Sequence, residues 1–217
     1  ATDHFAPLAP GSPCDPVTAS LDRMSGTQYL RLNDRVELPR LYLSWPSTAL
    51  FGDHDAELDL AADILAGGKS SRLYRALLHD REIATDVSVH QASSELSGIF
   101  SIVVTAAPGH TLSDINIVVA DEIHRMQSDG VTEEEFTRAR NRMEADFTWQ
   151  CQSVGGFGGV SDQLNAYNVF TKTPGFFETD WNRYKYATPG SICEAVTMML
   201  TPETEVALSI VPQKADD

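Results

Sequence analysis

Six histidines, three cysteines and 31 acidic residues are the groups in this 217-residue chain from which a metal site or an acid–base pair could be built. The one cluster with metal-like spacing is His54-Asp55-Ala56-Glu57-Leu58. In a helical H-x-x-E-H arrangement two imidazoles at i and i+4 share a face and hold zinc, with a glutamate beside them. Here Leu58 stands in the place of the second ligand, and leucine has no lone pair to give. His54 is therefore expected as a solvated residue in an acidic first helical turn. His79, His90, His110 and His124 are isolated in sequence and are expected as surface or core residues rather than ligands. Cys14, Cys151 and Cys193 lie far apart and match neither a disulfide framework nor a paired zinc-finger spacing. They are expected as small buried hydrophobes or a loose tail thiol.

Other motifs are equally spare. No G-x-S-x-G elbow, P-loop or dinucleotide fingerprint occurs. Gly155-Gly156-Phe157-Gly158-Gly159 follows a helical pattern and carries no Lys or Arg, so it reads as a flexible helix junction and not as a phosphate cradle. The acids Glu133–Glu135 are explained by the positive end of a helix dipole. Taken alone, these residues describe a domain without a self-contained active site.

The elements that must position them follow from periodicity. Gln28–Leu32 and Leu38–Trp45 alternate apolar and polar residues as half-buried strands do, with Pro39 suited to a strand start or edge. Asp53–Ala66 places Leu58, Ala61 and Leu65 on one helical face, and Gly67-Gly68 ends it. Ser70 is placed to cap a short helix presenting Leu73 and Leu77. Ile83–His90 and Ile99–Ala106 read as a strand pair joined by the Ser93–Gly98 loop. Leu112, Ile115, Val119, Ile123 and Met126 mark a helix that stops at Asp129-Gly130. Thr132-Glu133-Glu134-Glu135 has the form of a capping box opening the next, whose buried face runs through Phe136, Ala139, Met143 and Phe147. Helical patterns recur near Val160–Phe170, Phe176–Tyr186 and Ser191–Leu200, and Val206, Leu208 and Ile210 close the chain as a strand. Strands, then helices, then one returning strand point to an α+β layered fold.

Composition sets the outer bounds. A hydrophobic share of 42% with 22% charged residues suits a globular core and excludes a disordered chain. No apolar run approaches the roughly 18 residues that cross a bilayer, so no membrane span is expected. A net charge of −15 repels phosphate backbones, so nucleic acid is not an expected partner; the charge serves solubility. Prolines 7, 10, 13 and 16 make the stretch 6–16 an extended linker, and Ala1–Phe5 has the form of neither a start nor a leader, as though cut from something longer.

At Gly67-Gly68-Lys69-Ser70-Ser71-Arg72-Leu73-Tyr74-Arg75-Ala76-Leu77-Leu78 the chain resembles the second of the two related domains in zinc peptidases of the insulinase/pitrilysin family, closest to the bacterial branch similar to mitochondrial processing peptidase. The resemblance extends through Phe5-Ala6-Pro7-Leu8, the helix from Thr132, Gly155–Gly159, and Tyr186-Ala187-Thr188-Pro189. It implies a ferredoxin-like α+β sandwich, a mostly antiparallel sheet covered by helices. Residues 1–20 would be the end of a preceding domain and a linker, and 21–217 a single inactive peptidase-type domain. Zinc belongs to the preceding homologous domain, with no cofactor in this chain.

The resemblance also implies that the second domain helps to enclose a peptide substrate, commonly through an Arg and a Tyr seven residues apart. Those positions fall here on Leu78 and Thr85, which cannot do the same work, while Arg81 matches the family's second, non-catalytic basic position. The expected function is a non-catalytic C-terminal domain of a zinc metalloendopeptidase, forming part of a peptide chamber and a subunit interface. A second peptidase-like subunit and a periplasmic setting are expected with it. The alternatives are a scaffold domain of a catalytically dead family member and an independent enzyme of unknown chemistry.

Overall fold

Gln28–Asp34 (β1), Arg40–Ser47 (β2), Ala84–Ser93 (β3), Gly98–Ala106 (β4) and Val206–Pro212 (β5) form one five-stranded sheet of order β1-β5-β2-β4-β3. The half-buried alternation expected of Gln28–Leu32 is not found: as the edge strand, β1 is exposed at every residue. The computed structural model describes residues 26–213, together with Ala6, Leu8, Gly11, Ser12, Val17 and Thr18. His4, Cys14 and most of the proline-rich stretch lie outside the described residues. β2 pairs antiparallel with β4 and with β5, and β3 antiparallel with β4, whereas β1 pairs parallel with β5. The returning strand is thus an interior strand, inserted between β1 and β2.

The helices are Asp55–Ala66 (α1), Arg72–Tyr74 (α2), Leu112–Ser128 (α3), Glu133–Gln150 (α4), Val160–Thr171 (α5), Phe177–Tyr186 (α6) and Pro189–Met199 (α7). The sheet face carrying Leu41, Leu43, Trp45, Phe100, Ile102 and Val104 is buried against Leu58, Leu65, Ile115, Val119 and Val196 of the helices. The architecture is the α+β class expected from the order of elements. α2 runs on into a π-helical turn, Arg75–Asp80, with Leu73 and Leu77 both fully buried. Its N-cap is Ser71, one residue later than the pattern suggested, and the Ser71 hydroxyl donates to the Gly68 carbonyl (2.6 Å) instead of capping. The Ile83 N–H then returns to the Leu77 carbonyl (2.9 Å), bringing the start of β3 against the end of this turn.

Two polar links hold the helical layer together. Thr132 and Glu135 form the capping box at the head of α4, but Glu135 does more than complement a dipole. It receives two parallel hydrogen bonds from Arg72 (2.7 and 2.8 Å), and Arg72 also donates to the Gly130 carbonyl (2.7 Å). Burial alone would raise the Glu135 carboxyl; the Arg72 guanidinium and the Thr132 N–H outweigh it and hold the group at about 2.

The second link centres on Arg183 of α6, which donates to Asp55 (3.0 Å) and Asp180 (2.6 Å) and lies over the rings of Phe51 and Tyr184. The Ser93 hydroxyl reaches the same Asp55 carboxylate. Tyr167 of α5 donates to Asp180 (2.8 Å), and Tyr184 donates to Asp59 of α1 (2.6 Å). Burial pushes Asp59 up to about 7 against the lowering effect of the Tyr184 hydroxyl, with Asp55 adding to the rise. The same enclosure pushes the Tyr184 phenol up.

The cysteines depart from expectation in part. Cys193 is half-buried, its thiol donating to the Gln127 carbonyl (3.2 Å), but Cys151 is exposed, because it follows the last turn of α4 where the helix has left the core.

Four substitutions test this packing. Leu77→Ala should cost about 2–5 kcal/mol, from lost transfer energy and the cavity left behind, whereas His54→Ala should stay within about 0.5 kcal/mol. Denaturant titrations that gave equal losses would misplace the helix face. Glu135 is depressed on folding from 4.5 to about 2, so its contribution is full above the first value and lost as pH falls through the second. Glu135→Gln should therefore flatten the acid limb of stability between those values. Asp59 is raised on folding from 3.8 to about 7, so its contribution is present at low pH and lost as pH rises through the higher value. Melting temperatures should show Asp59→Asn gaining on the unsubstituted chain across that window, and a constant difference would refute the raised carboxyl.

Candidate functional site

The histidines take separate places. His54 is the residue before α1, in the left-handed region (φ 67°), half-buried and without a side-chain cap, while Leu58 is fully enclosed in the core. The two positions that spacing could have aimed at one metal therefore point into different surroundings. Asp55 between them is not a solvated first-turn acid either: it is 2% exposed and held by Arg183. His79 pairs with its neighbour Asp80 at the surface (2.8 Å), His90 and His110 are exposed, and His124 lines a depression with Asn116 and Gln127 between α3 and β2. Among the described residues no group of three or more His, Cys, Asp or Glu converges as a metal site requires, so the residues present do not fit a zinc ion.

The glycine-rich junction joins α4 to α5. Gly156 (φ 86°) and Gly158 (φ 76°) take the left-handed backbone that glycine permits, and the Gly158 N–H donates to Asp162 (3.0 Å). That loop presents a carboxylate, the wrong sign for a phosphate cradle.

The resemblance nominated Leu78, Thr85 and Arg81. Leu78, on the π-helical turn, is half-buried against the core. Thr85 lies on β3 at a register shift between Ala84 and Asp86, is exposed, and donates to the Thr105 carbonyl of β4 (3.4 Å). Arg81 is exposed in the turn between them, beside Glu82 at φ 52°. The elements carrying Leu78 and Thr85 are brought side by side by the Leu77–Ile83 hydrogen bond, but Leu78 is committed to apolar packing and Thr85 to a backbone carbonyl.

The most distinctive surface is one that no sequence motif announced. Helices cover one face of the sheet, and the register lays out the other. Across it run Leu30, Leu208, Tyr42, Val103 and Ser88 as one row and Leu32, Ile210, Arg40, Thr105 and Asp86 as the next. Leu30 is 54% exposed, Leu32 50% and Ile99 54%; Tyr42, Val103, Leu208 and Ile210 are half-buried. The next row on this face, Gln28, Val206, Ser44, Ser101 and His90, is mostly polar, with Ser44 and Ser101 hydrogen-bonded to each other (3.0 Å), so the aliphatic surface is a patch around Leu30, Leu32, Leu208 and Ile210 at the β1–β5 side.

On the same face Arg40 donates through Nε to Thr105 Oγ1 (3.1 Å), and its Nη1 lies 3.5 Å from the Tyr42 hydroxyl. These two residues stand over a depression of about 340 Å³ lined by Val36, Glu37, Leu38, Thr105 and Ile210. The signal available in sequence was slight: two residues at i and i+2 of a strand share a face, and one is a cation in an acidic chain.

Comparison with known proteins bears on both fold and family. The model of the peptidase M16 inactive domain matches residues 3–143, more than half of the chain. A protease from Helicobacter pylori superposes with a TM-score of 0.84 at 15% identity, over 97% of this chain and 51% of that one. The peptidase M16 inactive domain from Pseudomonas fluorescens gives 0.70 at 17% identity, over 94% and 48%. The periplasmic protease PqqL from Escherichia coli gives 0.66 at 15% identity, over 95% and 22%. The chain thus spans about half, or less, of these solved proteins, and at such identities they share its fold alone. Among curated proteins none matches the sequence. With an α+β layer of the same shape and a family model that matches more than half of it, the chain belongs to the family of peptidase M16 inactive domains.

Proposed function

We propose that this chain is the non-catalytic C-terminal domain of a zinc metalloendopeptidase, forming part of the wall of a peptide-binding chamber and of a subunit interface. The open sheet face carries this reading. Its aliphatic rows through Leu30, Leu208 and Tyr42 and through Leu32 and Ile210 are the kind of surface that interaction sites use. In this reading residues 1–20 end the preceding homologous domain and its linker, zinc and bond cleavage belong to that domain, and 21–217 supply walls and contacts. Leu78 has no donor and the Thr85 hydroxyl is engaged, so a second peptidase-like subunit provides the Arg and Tyr that steady the substrate. A peptide carbonyl left unpaired in a closed site would cost ~1–3 kcal/mol. Similarity to a protein described as a periplasmic protease supports a periplasmic setting. The same two positions favour one rival, a scaffold domain in a parent without peptidase activity.

Two measurements separate these readings. The purified, untagged chain should hold no stoichiometric zinc and cleave no peptide; one tightly held zinc per chain by elemental analysis would overturn the non-catalytic assignment. The full-length parent should cleave peptides only with its partner subunit, and Leu32→Glu with Ile99→Glu should lower that activity at least tenfold while leaving the melting temperature of this domain unchanged. Undiminished activity from the parent alone would end the two-subunit account, and no activity under any pairing would favour the scaffold.

A further inference from the structure

The helix-covered side of the sheet carries a depression of about 230 Å³ between α3, β2 and the segment that leads into β5. Its floor is apolar and fixed: Leu43, Trp45, Ile123 and Leu200 line it and all are buried. The Trp45 indole is held in place, Nε1 donating to the Thr201 carbonyl (3.2 Å) while the ring meets Phe100 edge-on. Polar groups stand around this floor, namely Asn116, His124, Gln127 and Glu205. Gln127 donates its amide hydrogens to the Val196 and Leu200 carbonyls (3.5 and 3.3 Å), which leaves its Oε1 to accept. Glu205 is half-buried, and among the described residues no Lys, Arg or His comes within 4.0 Å of its carboxylate. Burial raises that carboxyl above its ordinary range, and Thr27 alone opposes the rise. An apolar slot bordered by a carboxylate without a cation and by amide acceptors is the complement of an ammonium group on an apolar stem.

We propose that this depression binds a primary ammonium carried on an unbranched apolar stem, with Glu205, Gln127 and Asn116 accepting from the ammonium and the stem lying against Leu43, Trp45 and Ile123. The acceptors stand on different elements, which suits a compact cation with three rotatable donors better than a planar guanidinium fork. A net charge of −15 favours cations near this chain in any case. The slot opens on the opposite side of the sheet from the aliphatic patch, so the proposal stands independently of the chamber reading. Two sources present this chemistry, the side chain of a peptide lysine and a free alkylamine.

The test is a nitrogen–proton chemical-shift titration of the whole chain at neutral pH, read at the Trp45 indole signal. Pentylamine should bind about tenfold tighter than pentanol, because charge-assisted hydrogen bonds are stronger than neutral ones. Pentanoate should leave the signal unmoved. Glu205→Gln keeps the shape of the side chain and should abolish the preference for amine over alcohol. Ala120→Leu, at an exposed position of α3 that lines the slot, should fill it and weaken both ligands. Melting curves confirm that each variant folds. Equal binding of amine and alcohol, a preference that survives Glu205→Gln, or no shift with pentylamine at millimolar concentration overturns the site. Acetyl-lysine methylamide separates the sources: binding as tight as that of pentylamine supports a peptide lysine, and binding at least tenfold weaker supports a free amine.

Discussion

Among the described residues β1 touches the rest of the sheet through β5 alone, and β5 is the last strand. The partner of β1 is thus separated from it by everything between Asp34 and Val206. The inner sheet is more local: β2, β4 and β3 come from residues 40–106 and pair as antiparallel neighbours, with a short hairpin between β3 and β4. Such contacts close small loops, whereas the β1–β5 ladder closes one that spans most of the domain. The aliphatic patch inherits this dependence. Leu30 and Leu32 join Leu208 and Ile210 only when the ladder has formed, so the patch exists in the completed sheet and in no smaller piece.

The helical layer answers a different constraint, the excess of acid. With 31 acidic and 16 basic residues, carboxylates cannot all be paired, and the fold spends its arginines selectively. Arg72 binds the α2–α4 seam through Glu135, and Arg183 gathers Asp55 and Asp180 where α1, α5 and α6 meet. Removing one member of such an enclosed set strands the others, a loss far larger than a surface pair would show. Asp59 stands at the edge of the second set, where burial, with Asp55 nearby, outweighs the hydrogen bond from Tyr184, which is why its carboxyl resists ionisation.

Local signals were legible where one side chain reports one environment. The period-two runs became β2 and β4, the three-four spacing from Leu112 to Met126 became α3, and the Thr132 capping box formed as its sequence implies. The family was legible too, through the short motifs around Gly67-Gly68, and the family model, matching residues 3–143, agrees there. What stayed hidden was set by distant partners. Nothing in Val206–Pro212 tells that it lies between β1 and β2, since strand pattern carries no address. Asp55 and Glu133–Glu135 looked alike as first-turn acids; the difference is that Arg183 and Arg72, remote in sequence, meet Asp55 and Glu135. Arg40 and Tyr42 were unremarkable outward residues until the register set them beside an aliphatic patch.

The parallel pairing of β1 and β5 has a mechanical consequence. The chain enters this pair at Gln28 and leaves it at Pro212, at opposite ends of a ribbon seven residues long, about 23 Å at 3.3 Å per residue. Tension between whatever precedes the domain and whatever follows it would pull the two strands lengthwise past each other. In that geometry the ladder's hydrogen bonds share the load together, instead of yielding one at a time as they do when strands are peeled apart. Such a load would fall first on the β1–β5 ladder and pass from β5 to its other neighbour, β2.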